Sequence, residues 1–128
     1  MKGLMAKILI IEDDQLVARM YMHAFLSQKF EAVVAENGRV GLEKAKSEKP
    51  NIILLDIMMP EMNGLDVLNR LKADPELSKI PVIVLTNLAG TQDSEIALAR
   101  GAKAYLVKSE YKPKDVVTVV KGFLNQVA

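Results

Sequence analysis

Directly after short runs of Ile, Leu and Val stand Glu12, Asp13 and Asp14, then Asp56, then Thr86, then Lys108. Acidic groups, a hydroxyl and an ammonium at the ends of successive apolar runs form a set able to handle phosphate. Clustered carboxylates repel one another, and a shared divalent cation of hard-oxygen preference relieves that repulsion. Mg²⁺ suits such a site because it accepts a few carboxylates, keeps waters and takes a phosphoryl oxygen. A carboxylate is also a competent nucleophile toward phosphorus, which gives an aspartyl phosphate. Phosphoryl transfer asks mainly for positioning and for neutralisation of charge on the equatorial oxygens. The cation, Lys108 and the Thr86 hydroxyl can each attend one oxygen. Taken singly, each residue has an ordinary structural explanation: a helix cap for Glu12-Asp13, a turn for Asp56 or Thr86, solvent for Lys108. Their joint placement carries the functional reading.

The elements that must bring them together are legible in the hydrophobic pattern. The apolar runs are Ile8-Leu9-Ile10-Ile11, Ala32-Val33-Val34-Ala35, Ile52-Ile53-Leu54-Leu55, Val82-Ile83-Val84-Leu85 and Tyr105-Leu106-Val107. Unbroken Ile, Leu and Val predict strands buried on both faces, as in a parallel sheet covered by helices. The Ala32 run is the least apolar and is expected at an edge. Between the runs lie helical patterns. Asp13 or Asp14 caps the first, which runs through Leu16, Val17, Met20 and Ala24 toward Gln28. The second covers Arg39 to Ser47 and ends before Pro50. In the third, Leu65, Leu68 and Leu71 share a face after the turn residues Asn63-Gly64. Asp93 to Arg100 is the fourth, closed by Gly101. The last starts near Pro113 and puts Val116, Val120, Phe123, Leu124 and Val127 on one stripe. The order is (βα)₅, and right-handed crossovers make it an open, doubly wound α/β sheet. Ligands of such sheets bind beyond the carboxyl ends of the strands. If the first and third strands are neighbours, Asp13 and Asp56 converge with Glu12 close by.

Composition narrows the alternatives. Lys and Arg total 17 against 16 for Asp and Glu, a formal charge of +1, with no basic or acidic block, so generic nucleic-acid binding gains no support. With no cysteine and one histidine, His23, disulfides, thiolate sites and His-rich metal sites are excluded. Met1 to Lys7 shows no signal pattern and no apolar run approaches membrane-spanning length, so a cytoplasmic setting is expected. One domain over residues 1–128 is expected, with no output domain after the fifth helix.

The residues resemble the receiver domains of bacterial response regulators, similar to stand-alone chemotaxis-type regulators. The likeness is carried by Ile10-Ile11-Glu12-Asp13-Asp14, by Leu54-Leu55-Asp56-Ile57-Met58-Met59-Pro60-Glu61-Met62-Asn63-Gly64, by Val84-Leu85-Thr86, and by Gly101-Ala102-Lys103-Ala104-Tyr105-Leu106-Val107-Lys108. The intervals from Asp13 to Asp56, on to Thr86 and on to Lys108 match the family's. The resemblance implies a flavodoxin-like sheet of strand order 2-1-3-4-5 in a phospho-accepting switch of two-component signalling. It implies Asp56 as phospho-acceptor, and Mg²⁺ held by Glu12, Asp13, Asp56 and the Met58 backbone carbonyl. Thr86 and Lys108 then bind the phosphoryl group, and Tyr105 changes rotamer with Thr86. The implied donor is a phosphohistidine on a sensor histidine kinase or phosphotransfer domain. Output passes to an effector protein through the fourth helix, fifth strand and fifth helix, with no direct DNA binding and no membrane.

Several positions depart from the family pattern. Ser109 stands where proline usually follows the lysine, so a trans Lys108–Ser109 bond is expected, a cis one before serine costing roughly 3–4 kcal/mol. Asn87 replaces a small residue after the threonine. Met58 and Leu88 replace polar groups that in relatives can orient a hydrolytic water, which predicts slow loss of the phosphoryl group. An aspartyl-phosphate phosphohydrolase would want a second aspartate at Met58, and a nucleotide-binding domain would want a glycine-rich loop where Glu12-Asp13-Asp14 stands.

Overall fold

The computed structural model describes residues 6–127, with side chains through 124. Strands β1 (Lys7–Ile11), β2 (Glu31–Ala35), β3 (Ile52–Leu55), β4 (Val82–Thr86) and β5 (Ala104–Val107) alternate with helices α1 (Gln15–Ser27), α2 (Gly38–Glu48), α3 (Gly64–Ala73), α4 (Thr91–Ala99) and α5 (Pro113–Val127). All pairings are parallel, in the order β2-β1-β3-β4-β5. The expected doubly wound, flavodoxin-like sheet is therefore present, and the weakly apolar Ala32 run is an edge strand.

Period-two alternation divides the core between the two faces of the sheet. Leu9, Ile11, Ile53, Leu55, Val82 and Val84 face one side, packed with Ala45 of α2, Val67, Leu68 and Leu71 of α3 and Ala97 of α4. Ile8, Ile10, Ile52, Leu54, Ile83 and Leu85 face the other, under Tyr21 and Phe25 of α1 and Val116, Val117 and Val120 of α5. The central strands are sealed on both sides because helices cover both faces. Phe123 and Leu124 pack on the second cluster as the stripe predicted, while the Val127 side chain lies outside the described residues.

Local chemistry sets the helix starts. Asp14, not Asp13, caps α1: its carboxylate accepts from the N–H groups of Leu16 at 3.0 Å and Val17 at 3.2 Å. Asn37 and Asn63 cap α2 and α3 in the same way. The fourth helix begins at Thr91, two residues before the expected Asp93, because Gly90 serves as N-cap through extended backbone alone, without a side-chain bond. Gly101, at φ +108°, ends that helix in a conformation few other residues accept.

Register carries these elements to one end of the sheet. Ile11 pairs with Leu55, and the Asp56 N–H continues the ladder to the Ile11 carbonyl at 3.1 Å. Gly64 then closes the loop after β3, its N–H bonding the Ile57 carbonyl at 2.8 Å. A Cβ at Gly64 would stand 2.3 Å from the Asp56 carbonyl oxygen and 2.6 Å from Ile57 Cα. Backbone cannot yield as a flexible side chain does. Gly64→Ala should therefore destabilise the fold by about 1–3 kcal/mol, the usual range for overpacking. Urea unfolding measures this, and an unchanged midpoint would contradict the close approach.

Candidate functional site

At the carboxyl ends of β1 and β3, Glu12, Asp13 and Asp56 bring carboxylate oxygens within 4.8 Å of one another. Glu12 and Asp56 are buried and Asp13 is exposed. Strand geometry explains the closeness, since β1 and β3 are hydrogen-bonded neighbours that end in register. Glu12 Oε2 accepts from the Asp14 N–H at 3.1 Å, and Asp56 Oδ1 accepts from the Met58 N–H at 3.1 Å. Each buried carboxylate thus has one oxygen fixed by backbone. The Lys108 ammonium takes the other in both cases, donating to Glu12 Oε1 at 2.5 Å and to Asp56 Oδ2 at 3.3 Å.

The charges explain one another. Burial is the main force lifting the Glu12 pKa above the ordinary value, and the Asp56 charge adds to it, while Lys108 pulls it down. Burial also disfavours the Lys108 ammonium. The Glu12 hydrogen bond and the charges of Asp56 and Glu12 outweigh that, so the Lys108 pKa stands above the usual lysine value. Lys108 is accordingly a permanent cation at neutral pH. Three carboxylates against one ammonium leave a cluster of hard oxygen donors with negative charge in excess, which fits a divalent metal ion. A cavity of about 280 Å³ opens over the cluster, with Asp13, Asp56, Met58, Asn87 and Lys108 among its walls.

Thr86 ends β4, wholly buried and outside that wall; its Oγ1 accepts from the Leu88 N–H at 3.3 Å. Tyr105 on β5 donates its hydroxyl to the Leu88 carbonyl at 2.5 Å. Burial, with the Asp93 and Asp56 carboxylates, holds the Tyr105 phenol above its usual range and keeps it a donor. No peptide bond among the described residues is cis, so Lys108–Ser109 is trans and the ammonium still reaches both carboxylates.

Some of this was not visible in the sequence. Lys108 bonds Glu12 as well as Asp56, a pairing of residues far apart along the chain. Met58 is exposed on the cavity wall, whereas Leu88 packs against the core and Asn87 faces the cavity. In the sequence Asn87 stands out only by its size.

Comparison with known proteins decides the family. Residues 8–121 match the model of the response regulator receiver domain. The chain belongs to that family. This receiver is similar to the polar-differentiation response regulator DivK of Brucella anthropi, 34% identical over 92% of the chain and 95% of that protein. It is also similar to the DNA-binding response regulator MtrA of Mycobacterium tuberculosis, 34% identical over 94% of the chain. The chain spans about half the length of MtrA, 51%. Among solved structures, a CheY-like receiver domain protein from Methanospirillum hungatei superposes with a TM-score of 0.88 at 27% identity, covering 95% of each chain. Receivers of this family take part in two-component phosphorelay signalling with histidine kinases and effectors. Among the described residues, no helix is long and apolar enough to cross a membrane.

The adjacent acids divide the work, Asp13 in the carboxylate cluster and Asp14 in the α1 cap. Asp13→Ala should therefore lower divalent-cation affinity at least ten-fold while sparing stability. Asp14→Ala should cost about 1 kcal/mol of stability, as for a lost N-cap, and leave the affinity nearly intact. Calorimetric titration and urea unfolding of both variants check this; equal affinity losses would contradict the division.

Proposed function

We propose that this receiver is a phosphorylation switch in which Asp56 accepts a phosphoryl group from a phosphohistidine of a sensor histidine kinase or phosphotransfer domain in the cytoplasm. The observation that carries the reading is the Lys108 ammonium bridging two buried carboxylates, Glu12 and Asp56, beneath an open cavity. An Asp56 oxygen attacks phosphorus, and the phosphorus–nitrogen bond breaks with its electron pair passing to the imidazole. Glu12, Asp13, Asp56 and the Met58 carbonyl would hold Mg²⁺, which supplies positive charge for the phosphoryl oxygens when bound. Lys108 neutralises a second oxygen, and its placement against Asp56 means that it need not move far. The Thr86 hydroxyl turns to donate to a third.

That turn connects chemistry to signalling. Thr86 and Tyr105 both bond to Leu88, one through its N–H and the other through its carbonyl. Drawing Thr86 toward a phosphoryl oxygen disturbs the first bond, and Tyr105 rearranges with the loop. Two states of similar energy are then biased by phosphorylation. The surface that changes is α4, β5 and α5, where an effector protein reads the state. The switch catalyses only its own phosphorylation and dephosphorylation.

Incubating the protein with Mg²⁺ and a small phosphodonor tests this by intact mass. The mass of one phosphoryl group should be gained by the wild type and lost both in EDTA and in Asp56→Asn. Amide shifts of the phosphoprotein should concentrate in α4, β5 and α5. A gain that persists in Asp56→Asn would overturn the assignment.

A further inference from the structure

The residue two past the threonine, Leu88, has its peptide tied on both sides. Its N–H donates to Thr86 Oγ1 and its carbonyl accepts the Tyr105 hydroxyl. Its side chain packs against the core. The preceding residue is turned outward instead, and Asn87 is exposed on the wall of the cavity that holds Asp56, Met58 and Lys108. Every other polar side chain on that wall is a carboxylate or an ammonium, so Asn87 is its one neutral polar group among the described residues. We propose that the Asn87 carboxamide orients the water that hydrolyses phosphorylated Asp56, and so sets how long the phosphoryl group lasts. The inference rests on Asp56 being the acceptor.

The donor and acceptor inventory of the cavity supports the assignment. A hydrolytic water must keep a lone pair aimed at phosphorus, so it is best held through one of its protons by an acceptor. Lys108 can only donate, and would occupy the lone pair that has to attack. Glu12 has both oxygens engaged, by Lys108 and by the Asp14 N–H. Asp56 is itself the leaving group, Asp13 belongs to the cation-binding set, and the Asp14 carboxylate caps α1. Val17 offers no hydrogen bond, and the Met58 thioether accepts only weakly. The Asn87 amide oxygen accepts a water proton without carrying a charge that repels the phosphoryl dianion. The water oxygen forms its bond to phosphorus as the bond from phosphorus to the Asp56 oxygen breaks. The electron pair returns to the carboxylate. The water proton on the Asn87 side passes to bulk solvent, and inorganic phosphate departs. Asn87 is thus a positioning residue that ends each reaction where it was.

The experiment uses the full chain, phosphorylated with a small acyl phosphate and Mg²⁺, freed of donor and followed by intact mass as the phosphoprotein decays. Asn87→Ala should lengthen the lifetime about ten-fold, the rate equivalent of one lost hydrogen bond. Asn87→Ser, which keeps an acceptor, should recover part of the difference. A merely structural role would not give that rescue. A lifetime unchanged in Asn87→Ala sinks the inference alone, and a shortened one shows that the side chain shields the phosphoryl group instead. Failure to form a phosphoprotein, or its formation in Asp56→Asn, removes the Asp56 assignment and this inference with it.

Discussion

Two buried carboxylates from adjacent strands, held by one ammonium, are the constraint on which the rest of the site depends. Glu12 and Asp56 follow strand ends that pair in register, so the fold forces them together. Lys108 comes from beyond β5, separated from β3 by the whole of β4. Strands lie about 4.8 Å apart, so the ammonium must cross roughly 10 Å of sheet edge to arrive. A long unbranched side chain with a single charge at its tip meets that demand. The arrangement also leaves negative charge in excess, because one lysine cannot balance three carboxylates. An incomplete neutralisation of this kind suits a divalent cation.

The surrounding loops serve that charge cluster with very few residues. Asp14 starts a helix while its own N–H fixes one oxygen of Glu12. The Met58 N–H does the same for Asp56, in a loop that Gly64 closes by approaching the Asp56 backbone closely. Leu88 links Thr86 to Tyr105 through its peptide group rather than its side chain. A linkage made of backbone places few demands on side-chain identity, which is consistent with an apolar residue standing there.

How far the sequence disclosed this follows from the physics of each feature. The strands were plain because burial on both faces demands unbroken apolar runs, and the ends of Ile8–Ile11 and Ile52–Leu55 carried the acids into view. Helix starts were plain where a side chain caps them, as at Asn63, and misjudged where Gly90 does so with backbone alone. The candidate acids, threonine and lysine were visible as residue types at strand ends. The facing of Asn87 and Leu88 was not, because it depends on which of two adjacent residues has its peptide tied to Thr86 and Tyr105. Nor could residue types disclose that Lys108 divides its bonds between Glu12 and Asp56, which is decided by distances across the sheet.

The claim that Lys108 and Glu12 act as one electrostatic unit is tested most directly by a double-mutant cycle on unfolding free energy in cation-free buffer. The variants are Glu12→Gln, Lys108→Met and the pair. Lys108→Met alone strands two buried carboxylates, whereas in the double variant only Asp56 is left without its cation. The double variant should therefore be more stable than the sum of the single losses predicts, with a coupling of about 1–3 kcal/mol. Additivity within roughly 0.5 kcal/mol would contradict the account.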